Sequence, residues 1–209
     1  VYVTAAKKLV SFDCAIDFLA GPTEVVIVSD KGKAEFIAAD LVAQAEHDPE
    51  TFAAFITTND KLAQQVAQAT QKLSAGNAVA KESLRRNGSI LVSSSRRQSF
   101  EWANELASEH LTVDRGDVAL VRSAGSVFVG DYSAQAAGDY ASGPNHVLPT
   151  GAAARFRGGL SVLDFVKVIS VQRLSRPGLK SIAPIVESLA NAEGLLAHAE
   201  SIRTRVAHA

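Results

Sequence analysis

"TEVVIVSDKGKAEFIAADLVAQAEHDPETFAAFITT", residues 23–58, decides the fold. Its opening run, "TEVVIVSD" (23–30), is β-branched and ends in turn residues, the pattern of a buried strand. From 33 to 48 apolar residues recur at helical spacing, which predicts a helix. "TFAAFITT" (51–58) then returns to strand. Strand, helix and strand in so short a span make a βα unit whose strands run parallel.

Outward from that unit the alternation continues. Residues 60–86 are predicted helical with a break near "SAGNA", "GSILVSS" (88–94) is a third strand, and 96–110 a third helix. "HLTVD" and "SAGSVFVGD" (123–131) add two more strands. Such alternation implies a parallel sheet covered by helices on both faces. Beyond Gly130 the periodicity fades: 131–159 is rich in Gly, Ala, Ser and Pro, and a loop of that length in a compact domain points to function or disorder. Residues 159–175 mix strand and helix signals, and 176–206 read as a helical pair.

The chain has 209 residues, 47% hydrophobic, with a formal net charge of −1. That balance leaves no electrostatic footprint for nucleic acid. No run reaches the roughly 18–20 apolar residues that span a bilayer, and no basic n-region leads into an apolar stretch as in a secretory signal. A single cysteine, Cys14, excludes internal disulfides and suits a reducing, cytoplasmic compartment; its expected role is an apolar filler of the core. There is no methionine, and "VYVTAAKKLV" begins as if already inside a helix, so the chain reads as a piece of a longer one. Neither a GxGxxG nor a P-loop fingerprint is present.

Four of the five histidines stand near a carboxylate or carboxamide. Gln44 and His47 in "AQAEHD" are an i,i+3 pair, able to converge on a cation, or else an exposed helix end before Pro49. Glu109 and His110 in "ASEHL" can divide proton transfers between two positions on one substrate; an exposed helix terminus reads the same way. "AGDYASGPNH" places Asp139 and His146 on one glycine-rich loop, where a carboxylate can bind a hard or borderline cation. Glu193 and His198 are an i,i+5 pair in the terminal helical tail, about 140° apart on one helix. A tail helix of this kind docks on another subunit or is simply solvated. His208 is the fifth, at a fraying terminus.

The blocks "LAGPTEVVIV", "DLVAQAEHD", "EHL", "SAGSVFVGDYS", "AGDYASGPNHVLPT" and "EGLLAHAESIRTR" occur in an order and spacing that resembles the C-terminal half of the histidinol dehydrogenase family. The resemblance implies a two-step, NAD-dependent oxidation of L-histidinol to L-histidine, the last reaction of histidine biosynthesis, through an enzyme-held aldehyde. It implies one divalent metal, Zn2+ with Mn2+ as the alternative, held by Gln44, His47, Asp139 and His198. His198 would come from the partner subunit of a homodimer. Glu109 and His110 would be the acid–base pair, and Thr23, His146 and Glu193 would contact substrate. The chain departs from the family pattern at Thr23, where Ser is usual, at Ser108, where Pro is usual, and at Pro144, where Thr is usual; the last removes a hydroxyl and an N–H close to His146. The family's preceding half, which holds most NAD contacts, has no counterpart here.

The expectation is therefore an α/β protein with a Rossmann-like parallel sheet and a C-terminal helical arm for dimerisation. Residues 1–155 would carry most of the metal and acid–base site, and 156–209 would form the dimerisation segment. The rivals are a catalytically inert module that binds a metal or small ligand, a truncated fragment, and a plain helical scaffold.

Overall fold

The computed structural model describes residues 2–208. The chain divides into two compact units, Val1–Phe165 and Val166–Ala209.

The first unit begins with α1 (Tyr2–Val10), followed by β1 (Glu24–Val28), α2 (Ala34–Ala45), β2 (Phe52–Thr57), α3 (Asp60–Ser74) and α4 (Ala78–Asn87). β3 (Gly88–Val92), α5 (Arg96–Leu106), β4 (His110–Val113), β5 (Ser126–Val129) and α6 (Gln135–Tyr140) complete it. The five strands are all parallel, in the order β3-β2-β1-β4-β5. The order reverses between β1 and β4, so helices before and after the reversal cover opposite faces. Val25, Ile27 and Phe55 meet Ile37, Leu41, Leu62 and Val66 on one face; Val26, Val28, Ile56, Leu111 and Val113 meet Phe100 and Ala103 of α5 on the other. Burial on both faces is why the strands read as continuous apolar runs.

Side-chain caps set where the helices start. Asn59 accepts from the Leu62 N–H, Asn77 from Ala80 and Ser95 from Gln98, opening α3, α4 and α5. The cap at Asn77 is also why the helical stretch expected over 60–86 is two helices.

Several expectations are corrected. The helix predicted over 96–110 ends at Leu106, where Ala107 takes a left-handed φ of 48°; Ser108 and Glu109 become a connector, and His110 opens β4 because it pairs with Val25. Residues 159–175 hold no strand, only a 3-10 turn over Val162–Phe165. Cys14 is exposed, not a core filler, because it lies in the turn that ends α1.

The second unit holds α7 (Arg176–Ala192) and α8 (Leu196–Ala207), packed on each other and tied by Arg203 to Glu187 at 3.4 Å. Gly194, at φ +73°, makes the break between them. Glu193 closes α7 and His198 lies in the first turn of α8, so they do not share one helix as their spacing predicted. No helix among the described residues is long and apolar enough to cross a membrane.

Candidate functional site

At the amino-terminal edge of the sheet, the residues leading into β1 and β4 lie side by side. The Thr23 hydroxyl donates to Glu109 Oε2 and lies 3.4 Å from Gln44 Oε1. Having one proton, it serves the nearer acceptor, the carboxylate. The Glu24 backbone N–H donates to the same Glu109 oxygen at 3.2 Å, so this carboxylate is held by two donors from one strand entrance. Glu109 is 9% exposed and His110 is 3% exposed. The reading of this pair as an exposed helix terminus is thereby excluded.

The His110 ring lies between two carboxylates. Nδ1 is 3.6 Å from Glu109 Oε2 and Nε2 is 3.5 Å from Asp139 Oδ1. Neither nitrogen completes a hydrogen bond among the described residues. A buried imidazole with both nitrogens open is free to exchange a proton with something that arrives. The ring plane is fixed by stacking on Phe128, with centroids 5.8 Å apart and planes 28° apart. Asp139 rides on α6, which lies beside α2, the helix that carries Gln44. Gln44 is itself buried, 2% exposed.

Thus Thr23, Gln44, Glu109, His110 and Asp139 form one chain of contacts drawn from four segments. His47 stands exposed in the turn after α2, its N–H bonded to Gln44 O at 3.2 Å; it lies just outside the helix that its spacing implied. His146 is exposed on the loop after α6, next to the Asn145 side chain that caps the Val147 N–H. Glu193 and His198 are exposed on the second unit.

Glu24 escaped the sequence reading. Its Oε1 accepts from the Gly151 N–H at 2.9 Å, tying the 141–152 loop to β1, while Oε2 is buried without a partner among the described residues. Burial pushes its carboxyl above the usual carboxylate range, against the pull of the Gly151 N–H. A cleft of about 680 Å³ opens beside it, walled by Phe18, Phe52, Thr150 and Phe156.

In open α/β sheets ligands ordinarily meet the carboxyl ends of the strands at the reversal of order. Here that end is occupied. Arg96 reaches Asp30 at 3.0 Å, Asp114 at 3.2 Å and Asp117, and the Ser29 hydroxyl donates to Asp114 at 2.7 Å. The Glu109–His110 pair sits at the opposite edge.

The family model described as histidinol dehydrogenase matches residues 1–206. This chain belongs to the histidinol dehydrogenase family. It is 48% identical over 213 residues to the histidinol dehydrogenase of Haloarcula marismortui, covering 98% of this chain and 50% of that protein. With that of Methanocaldococcus jannaschii it is 44% identical over 215 residues, covering 99% and 49%. The crystal structure of histidinol dehydrogenase from Elizabethkingia anophelis superposes with a TM-score of 0.91 at 36% identity, over 99% of this chain and 50% of that one. The chain thus spans about half the length of the curated relatives it matches. The resemblance drawn from the sequence blocks, and the α/β fold expected with it, both hold. Membership makes it a chain of an oxidoreductase family of histidine biosynthesis.

The donors that the family resemblance implies for a divalent cation are Gln44, His47, Asp139 and His198. Among the described residues no three His, Cys, Asp or Glu side chains converge where they could hold a metal. Of these four donors the first unit carries Gln44, His47 and Asp139. An imidazole nitrogen, a carboxamide oxygen and a carboxylate suit a borderline ion such as zinc. The packing of α6 beside α2 places the helix of Asp139 next to that of Gln44. In donor type and helix placement the residues fit such an ion.

Proposed function

We propose that this chain carries the metal- and substrate-binding part of an enzyme that oxidises L-histidinol to L-histidine in two NAD-dependent steps. The observation that carries the reading is the buried Glu109–His110 pair, open at both ring nitrogens and bracketed by Thr23, Gln44 and Asp139.

In this reading His110 accepts the alcohol proton as a hydride leaves the carbinol carbon, giving an aldehyde that the protein retains. Glu109 then takes a proton from the water that adds to the aldehyde carbon while His110 returns its proton to the carbonyl oxygen; a second hydride leaves the resulting gem-diol as His110 takes a hydroxyl proton, and the acid so formed ionises to the carboxylate. NAD, when bound, accepts one hydride in each step. Gln44, His47 and Asp139, with His198 supplied across a homodimer, would hold zinc or manganese, which when bound orients the substrate's nitrogens. Thr23 keeps Glu109 aimed and offers its hydroxyl to substrate; His146 and Glu193 complete the substrate contacts.

Calorimetric titration of the 209-residue chain with L-histidinol, with and without zinc, tests the reading. Zinc-dependent binding that His47→Ala and Asp139→Ala each weaken at least tenfold is expected. Equal zinc content in wild type and both variants would sink it. Because the chain covers half of its relatives, a second reading is a module that binds metal and small ligand without catalysis. Steady NADH formation on adding NAD would exclude the module; tight histidinol binding with no NADH formed fits both the module and a chain whose NAD contacts lie in the family's other half.

A further inference from the structure

Asp139 reaches His110 only because α6 sits low on the sheet, and α6 has little stability of its own. It has six residues, no side-chain cap at Ala134, and a glycine within it; so short a helix depends on tertiary contacts for its place. Besides its packing beside α2, two contacts seat it on the strands. Gln135, 1% exposed, donates from Nε2 to Thr112 Oγ1 at 2.8 Å. Thr112 lies two residues after His110 on β4, on the same sheet face. One turn along α6, a Cβ on Gly138 would stand 2.7 Å from Phe128 Cζ, the ring that stacks on His110. Gln135 and Asp139 are i and i+4, so the anchor and the carboxylate share one stripe of the helix.

The other end of the Gln135 amide, Oε1, is buried with no partner among the described residues. An apolar side chain of similar shape would fill the space without that cost. The Thr112 bond, not core filling, therefore explains an amide at this position.

We propose that Gln135 is a positioning residue of the candidate site: through Thr112 it fixes the height of α6 above β4, and with it the approach of Asp139 to His110. The zinc readout below rests on the reading of Asp139 as a cation ligand; the imidazole readout does not.

The test uses the 209-residue chain with Gln135→Leu, Thr112→Val, both together, Gln135→Glu, and Asp139→Asn as reference. Three quantities are measured on each: the ring 15N resonances of His110 without metal at one fixed pH, zinc affinity by chelator competition, and the melting temperature. Gln135→Leu is expected to move the His110 Nε2 resonance in the direction that Asp139→Asn does, and to weaken zinc about tenfold, the lower end for partners behind a ligand. The double variant should do no worse than either single one, since each removes the same bond. Gln135→Glu, which can accept from the Thr112 hydroxyl, should recover most of both. If Gln135→Leu lowers the melting temperature while His110 and zinc stay as in wild type, the residue is ordinary core and the proposal is overturned; additive losses in the double variant overturn it equally. Should Gln135→Leu not fold, Thr112→Val carries the same readings. A shifted His110 resonance with zinc insensitive to Asp139→Asn keeps the positioning role and removes Asp139 from the ligands.

Discussion

His110 and Asp40 illustrate how single residues here depend on surroundings that their neighbours in sequence do not announce. Asp40 lies on α2, one turn before Gln44, and burial pushes its carboxyl up to about 6. Its pKa is higher folded than unfolded, so the folded state binds the extra proton and stability falls as pH rises from about 4 to 6. Asp40→Asn removes that cost. We expect it to raise the melting temperature at pH 7.5 by about 2–4 °C, roughly 1 kcal/mol once screening by remaining solvent is allowed for. At pH 4 the variant and wild type should melt together; equal gains at both pH values would exclude titration of Asp40 as the cause. Gln44, Glu109, His110 and Asp139 stood out in the sequence because polar side chains cluster around them in short blocks. Glu24 and Gln135 did not. Each is a polar residue in an otherwise apolar or small-residue setting, and only the partner brought by the fold, Gly151 or Thr112, gives it meaning.

At the level of elements, the starts of helices are set locally, by caps. Asn59 accepts from the Leu62 N–H at 3.1 Å. Asn59→Ala should cost about 1 kcal/mol, seen as a melting temperature lower by about 2–4 °C. Gly88, where α4 runs directly into β3, answers to a different constraint. A Cβ there would stand 2.3 Å from the Leu84 carbonyl oxygen, backbone that cannot swing aside. Gly88→Ala should therefore cost more than the cap, about 1–3 kcal/mol, read from the urea midpoint at unchanged slope. A loss smaller than that of Asn59→Ala would contradict the crowding. α6 was not readable as a helix at all: a short, uncapped segment with an internal glycine has the composition of a loop and becomes helical on β4 and β5. The Glu193–His198 spacing misled for the complementary reason, since the break between the two tail helices falls at Gly194, between these two residues.

Over the whole molecule, charge is placed unevenly between the two edges of the sheet. Arg96 holds three aspartates at the carboxyl edge, so Arg96→Ala leaves half-buried like charges facing one another. We expect a loss of about 2 kcal/mol at pH 7, shrinking as the pH falls and the aspartates take up protons; a loss independent of pH would count against repulsion. Burial raises the carboxyl of Asp30 while its donors and Arg96 pull it down, and the net direction is down, so the stability it contributes is present at neutral pH and lost on acidification. Assembly supplies the last test. Under the proposed function, chains bearing Asp139→Ala or His198→Ala lack a donor at every site when alone. A mixed dimer regains one complete site, so an equal mixture should recover about a quarter of the tight zinc sites. No recovery on mixing would mean that His198 does not act across subunits.

Sequence by itself determined the parallel α/β fold, the alternation of its strands and helices and the family, because apolar periodicity and contiguous polar blocks are properties of neighbours along the chain. Tertiary structure alone decided which edge of the sheet holds Glu109 and His110, that His110 lies between Glu109 and Asp139, and that Glu24, Gln135 and Phe128 belong to its setting. Those facts rest on the parallel register of β1 with β4 and on the seating of a marginal helix. Both arise from packing between segments that are more than eighty residues apart in one case and about twenty in the other, separations over which local pattern carries no information about contact.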